Sequence, residues 1–209
     1  MSLRFRSVLA ALALAVCLVS LMGCGKSAPT RYYTLTPQQG VQGAAQAEPA
    51  TPGAGAVPCY SLGIGPVEFP VYLDRTQMVT QGPGNQMHLA DFDQWVEPLH
   101  ENFKRILMDN LGASLCAKPL VLFPWPAGVR HQYQVAIQVQ RFDGALGGEA
   151  ALSASWSILN PAGDVLLWRT TSLREPAGGP GYAELAAAQS ALVAKFGQEV
   201  ATAVKALKP

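Results

Sequence analysis

The 209-residue chain is poor in charge: Asp, Glu, Lys and Arg make up 14% of it, against the ~25% of an average soluble protein. Fifteen basic and 14 acidic side chains leave a formal +1, so there is no broad cationic field to gather a phosphate backbone, and nucleic acid is not an expected partner. Cysteine is scarce as well. Four residues without a CxxC pair supply neither a disulfide scaffold nor a zinc ligand set. No GxSxG, HExxH or Walker pattern occurs, and Gly63, Ile64 and Gly65, which start like a dinucleotide fingerprint, are followed by Pro66 and Glu68 that break it. The histidines, His88, His100 and His131, are scattered without ligand spacing, so neither metal nor cofactor is expected. What is abundant is apolar: 49% of the residues, enough for one compact domain with tails.

The apolar residues begin at the amino terminus. Arg4 and Arg6 precede an uncharged run at residues 8–22, which is shorter than the ~20 residues a membrane-crossing helix needs and reads as a signal peptide. Leu21, Met22, Gly23 and Cys24 resemble the lipobox of bacterial lipoproteins, in which the cysteine becomes the lipidated first residue of the mature chain. By the same resemblance Gly25, where an Asp would favour inner-membrane retention, points to the outer membrane. Losing residues 1–23 removes two arginines, leaving 13 basic and 14 acidic groups and a formal −1. Cys17 leaves with the leader and Cys24 takes the lipid, so Cys59 and Cys116 remain in an oxidising compartment, either as a disulfide or as two separately buried thiols.

The chain divides into three regions: a leader at 1–23, a lipidated tether at 24–58, and a folded periplasmic domain at 59–209. Within the tether, residues 31–35 (RYYTL) are β-prone, and 36–58 are built from Pro, Gly, Ala and Gln. If RYYTL docks on the domain, the free tether is residues 25–30, about 20 Å at full stretch. If it does not, the tether runs on to Pro58. A strand starts at Cys59 and stops at Pro66; residues 77–81 and 86–90 flank the turn formers Gly82, Pro83, Gly84 and Asn85 as a hairpin. From Pro98, a helix carries Leu99, Phe103, Ile106, Leu107, Leu111 and Leu115 on one stripe until Pro119 ends it and opens a short strand at 120–123. Residues 133–142, the segment around Leu152–Ile158 and residues 165–172 alternate as an antiparallel meander, and a last helix covers 182–207. The fold class is α+β, a two-layer sandwich of a mainly antiparallel sheet with two long amphipathic helices on one face.

Candidates for chemistry are thin. Glu97 and Glu101 are four apart, but Pro98 lies between them, and helix-start charges account for both. Tyr72, Leu73, Asp74 and Arg75 form a proline-bounded segment that reads as a local ion pair or a partner contact, and Phe92 and Trp95 join it as a candidate partner-contact motif. A hydrolase would need two of Glu97, Glu101, Asp74 and His88 to converge in a cleft. The polar sheet face, with Gln134, Gln138, Ser153 and Ser155, is either open to solvent or part of a subunit contact.

The order of segments resembles the ABC-type transport auxiliary lipoprotein family, to which the PqiC-like membrane-integrity lipoproteins belong. RYYTL after the lipobox carries the resemblance, with Gly65-Pro66-Val67 leading to the run from Tyr72 to Val79, His88 to Leu99, Phe123-Pro124-Trp125 and Arg141-Phe142-Asp143. The long Pro- and Ala-rich stretch at 36–58 is the main departure. The resemblance implies a non-enzymatic outer-membrane lipoprotein facing the periplasm. It would work with an inner-membrane transporter component and an MCE-domain protein in lipid transport and envelope integrity, and would self-assemble into a ring. The alternative is a scaffold or pilot lipoprotein of envelope assembly that handles no lipid.

Overall fold

The computed structural model describes residues 28–38 and 59–207. The leader, Cys24 and the Pro- and Ala-rich stretch from 39 to 58 lie outside the described residues. The chain divides into two compact units, Met1–Thr30 and Arg31–Pro209, and the second holds every described strand and helix.

The largest layer of this second unit is a five-stranded sheet in the order β5-β2-β6-β7-β8. These strands are β2 (Tyr60–Glu68), β5 (Ala117–Leu122), β6 (Tyr133–Gly144), β7 (Glu149–Leu159) and β8 (Val165–Pro176). The β6-β7-β8 meander is antiparallel, as its alternation implies, whereas β2 pairs parallel with both β5 and β6. One face is apolar because strands expose alternate residues to it: Leu62 and Ile64, Val135, Ile137 and Val139, and Leu152, Ala154, Trp156 and Ile158 are all buried. Between Val139 and Arg141 the β6–β7 register shifts, which turns Phe142 to the same face as Val139. Both helices, α1 (Leu99–Ser114) and α2 (Tyr182–Ala206), pack on that face and on each other. Phe103 is central: its ring meets Phe69 at 5.1 Å, Phe142 at 5.3 Å and Phe196 at 6.3 Å. The arrangement is an α+β sandwich.

A second, three-stranded sheet has the order β1-β4-β3, with β1 at Arg31–Tyr33, β3 at Gln77–Gln81 and β4 at Met87–Trp95. The hairpin is present as expected, and RYYTL docks on it: β1 runs parallel to β4, with Tyr32 opposite Gln94. The folded unit therefore begins at Arg31, ahead of Cys59.

Two prolines do not stop their strands. β2 continues through Pro66 to Glu68, and β5 starts at Ala117 and contains Pro119; both prolines follow cis peptide bonds. Pro66 is tolerated where the β2–β6 ladder shifts register, between Ile64 and Val67, and Pro119 lies on an edge strand where a missing donor goes unnoticed. Gly65 supplies the φ of +122° that leads into Pro66, a conformation few L side chains adopt. Cys59 and Cys116 are joined, with Cα atoms 4.5 Å apart, at the starts of the adjacent strands β2 and β5.

Candidate functional site

β1 has three residues, too few for its ladder alone to hold it, and side chains supply the rest. Asp93 on β4 is 5% exposed and accepts from Arg31 at 2.9 Å and from the Tyr33 hydroxyl at 2.7 Å. Burial pushes its carboxyl up, but the hydrogen bonds from Arg31 and Tyr33 and the Arg31 charge outweigh that and hold it below the usual carboxylate range. Beyond β1, Leu35 is buried and its amide donates to Asn102 Oδ1 at 3.0 Å. The Asn102 amide group donates in turn to Thr34 Oγ1, at 2.7 Å, and to Glu97. The Thr36 amide donates to Ser190 on α2 at 3.1 Å. The segment that leads from the amino terminus is thus clamped to β4, α1 and α2 in succession.

A second network joins the turn before β3 to the meander. The Tyr72 hydroxyl donates to Asp143 Oδ2 at 2.7 Å, and Arg141 donates to Asp143 Oδ1 at 2.8 Å and to Gln81 at 2.6 Å. Burial, the hydrogen bond to Asp143 and the charge of Asp143 drive the Tyr72 phenol far above its ordinary value, so it stays a donor.

The candidate contact residues separate. Leu73 and Trp95 are 4% and 3% exposed and complete the core, so their side chains are withdrawn from any partner. Tyr72 is half-buried and committed to Asp143, while Asp74, Arg75 and Phe92 remain on the surface. Asp74 and Glu101 lie on either side of His100, at 3.9 and 3.2 Å, on an open surface where Glu101 also holds Lys104 at 2.6 Å. That bond to Lys104, stronger than the opposing effect of burial, lowers the Glu101 carboxyl. Glu97 is tied to Asn102 and Arg105 at the start of α1, and His88 lies against Gly82 at the hairpin turn. Of the four groups a hydrolase would draw on, Asp74 and Glu101 meet at His100, but on the exposed surface and not in a cleft, while Glu97 and His88 are engaged elsewhere. Among the described residues no group of three or more His, Cys, Asp or Glu is placed to hold a metal.

The face of the large sheet opposite the helices carries a shallow trough of about 220 Å³, lined by Pro66, Glu68, Ala136, Ser155, Ser157 and Trp168. That is below the ~300 Å³ at which ligand pockets usually begin. On this face Gln138 is exposed, and Gln134, Ser153 and Ser155 are partly covered. Toward β5 it is roofed by Trp125, whose ring lies where a Cβ on Gly63 would sit, 2.9 Å away, and which packs on His131 at 4.6 Å.

Sequence reasoning missed Asn102, although its signal is present: a polar residue on the buried stripe of α1, next to Phe103. Nor did it assign partners to Asp93 and Asp143. Both turn out to be hubs, each a buried carboxylate that joins segments far apart in the chain.

Residues 33–201 match the family of ABC-type transport auxiliary lipoprotein components. The chain belongs to that family. The match opens at the last residue of β1 and closes in α2, so the family domain includes the clamped segment from Tyr33 onward. No curated protein matches the sequence. Among solved structures, an uncharacterized protein is 20% identical with a TM-score of 0.66, covering 85% of this chain and 99% of its own. Protein XCC0632 from Xanthomonas campestris is 16% identical with a TM-score of 0.65, covering 84% and 94%. A PelC dodecamer from Paraburkholderia phytofirmans is 13% identical, with a TM-score of 0.42 over 72% of this chain and 91% of its own. At these identities the first two share the fold.

Proposed function

We propose that this family member is anchored in the outer membrane through acylated Cys24, faces the periplasm, and serves as the auxiliary subunit of an MCE- and ABC-type system that moves lipid between membranes and maintains the envelope. The observation that carries the reading is the use of the motif residues. Arg31, Tyr33 and Asp93, together with Asn102 outside the motifs, fasten the segment next to the anchor onto the folded unit, and Tyr72, Arg141 and Asp143 stiffen the unit. Such residues suit an adaptor whose position must be fixed, and they perform no reaction. The partners are an MCE-domain protein, an inner-membrane transporter component and further copies of the chain in a ring; among the described residues, β8 leaves one edge of the large sheet unpaired.

Pull-down from detergent extracts tests the assignment: recovery of an MCE-domain protein supports it, and recovery of only secretin or cell-wall components overturns it in favour of an assembly scaffold. Cys24→Ala is expected to leave a folded protein that no longer sediments with membranes. Sedimentation of that variant would remove the anchor from the account.

A further inference from the structure

The small sheet presents two different faces. Tyr33, Asp93 and Trp95 turn inward, where Trp95 is buried and the Asp93 carboxylate is paired with Arg31, whose own side chain stays exposed at the rim. The alternate residues turn outward: Tyr32 lies opposite Gln94, and Phe92 and Val96 are two positions to either side of Gln94 along the same row. The row continues past the end of β4 because the Val96 amide still donates to the Tyr33 carbonyl, at 2.9 Å. Tyr32 is 63% exposed, Phe92 41% and Val96 61%. None of these four residues carries a charge.

Chain length decides what can cover this row. Six residues, 25–30, separate Cys24 from β1, and at ~3.3 Å each they reach about 20 Å when fully drawn out. The clamp on Arg31, Tyr33, Leu35 and Thr36 prevents β1 from releasing more chain. An acyl anchor at Cys24 therefore holds Tyr32, the second residue of β1, within a short chain's reach of the bilayer surface. Aromatic side chains with one polar end favour the headgroup layer, and one lipid-bearing residue gains from a second contact of this kind.

Resting on the lipid anchor proposed above, we infer that Tyr32, Phe92 and Val96 form a membrane-seating surface that lies in the headgroup layer of the bilayer. The anchor supplies attachment, and this row supplies orientation. It also fixes which end of the molecule points away. Tyr33 packs on Tyr182 at the start of α2, close in sequence to the end of β8 at Pro176, and β8 spans about 36 Å from there to Val165. The β7–β8 turn around Ala162 accordingly faces away from the membrane.

The test uses the full-length, lipidated protein on phospholipid vesicles, with an environment-sensitive nitrobenzoxadiazole label on Phe92→Cys, on Val96→Cys or, as a control, on Ala162→Cys. All three sites are exposed, so the substitutions leave the core intact. The expected result is a blue-shifted emission at positions 92 and 96 that spin-labelled lipid quenches, with an unshifted and unquenched label at 162. Vesicle flotation without any shift at 92 or 96 overturns the seating surface while leaving the anchor in place. A shift at 92 that is already present without vesicles assigns the row to another protein copy and overturns it equally. Failure to float overturns the anchor itself, and the inference with it.

Discussion

Replacing Asn102 with alanine removes the acceptor of the buried Leu35 amide and the donor to Thr34 and Glu97. Asn102 is fully buried, so no water stands ready to replace these bonds. Leaving one buried amide unpaired costs about 1–3 kcal/mol, and each of the two other lost hydrogen bonds about 1 kcal/mol more, so a loss of at least about 3 kcal/mol is expected for Asn102→Ala. The loss falls first on the segment from Arg31 to Thr36, which keeps the short β1–β4 ladder, the Asp93 pair and the Ser190 bond. Undocking of that segment also exposes Leu35, so the variant should open locally before it unfolds globally. Hydrogen exchange of residues 31–36 measures this directly. A roughly hundredfold gain in exchange there, with α2 still protected, is the expected pattern for about 3 kcal/mol of local loss. Unchanged exchange at 31–36 would refute the clamp, and uniform acceleration throughout would show that Asn102 supports the whole core instead.

The remaining networks give three further expectations. Trp156 Nε1 donates to Thr171 Oγ1, which donates to Glu199, both at 2.9 Å; Thr171→Val should cost about 1–3 kcal/mol in chemical denaturation, and an unchanged midpoint would discount the network. Because the Asp93 carboxyl is lowered in the folded state, the stability it contributes is complete above its unfolded value near ~4 and is lost as pH falls through the lower folded value. Exchange at residues 31–36 should therefore accelerate selectively below about pH 4 relative to Asp93→Asn, which should lack that acid-dependent step. Reducing the Cys59–Cys116 bond, whose cysteines are 57 residues apart, should lower stability by at most about 4 kcal/mol on chain-entropy grounds; no change in midpoint would show that the unfolded chain gains nothing from release.

The parts of the fold that read clearly from sequence are those with a sustained period. The meander declares itself through Tyr133, Val135, Ile137 and Val139 against Gln134, Ala136 and Gln138, and both helices through their apolar stripes. The parallel pairs of β2 were hidden because Pro66 and Pro119 normally mark strand limits, and their cis bonds leave no local trace in composition. β1 is too short to show a period, and its partner is some sixty residues away. Of the candidate contact residues, Trp95 and Leu73 were legible as apolar but not as buried, since a lone tryptophan reads equally well as anchor or as core. Asp93 and Asn102 needed three dimensions, because each joins segments at least 60 residues apart.

The two fastenings on either side of the Pro- and Ala-rich stretch, Thr36 on Ser190 and Cys59 on Cys116, have an evolutionary corollary. With both fastenings made to the same body, the length of sequence between them does not enter the tether of the proposed anchor, which is residues 25–30. Doubling that length would add only about 0.6 kcal/mol of closure entropy, so descendants can lengthen or trim it while the proposed tether keeps its reach.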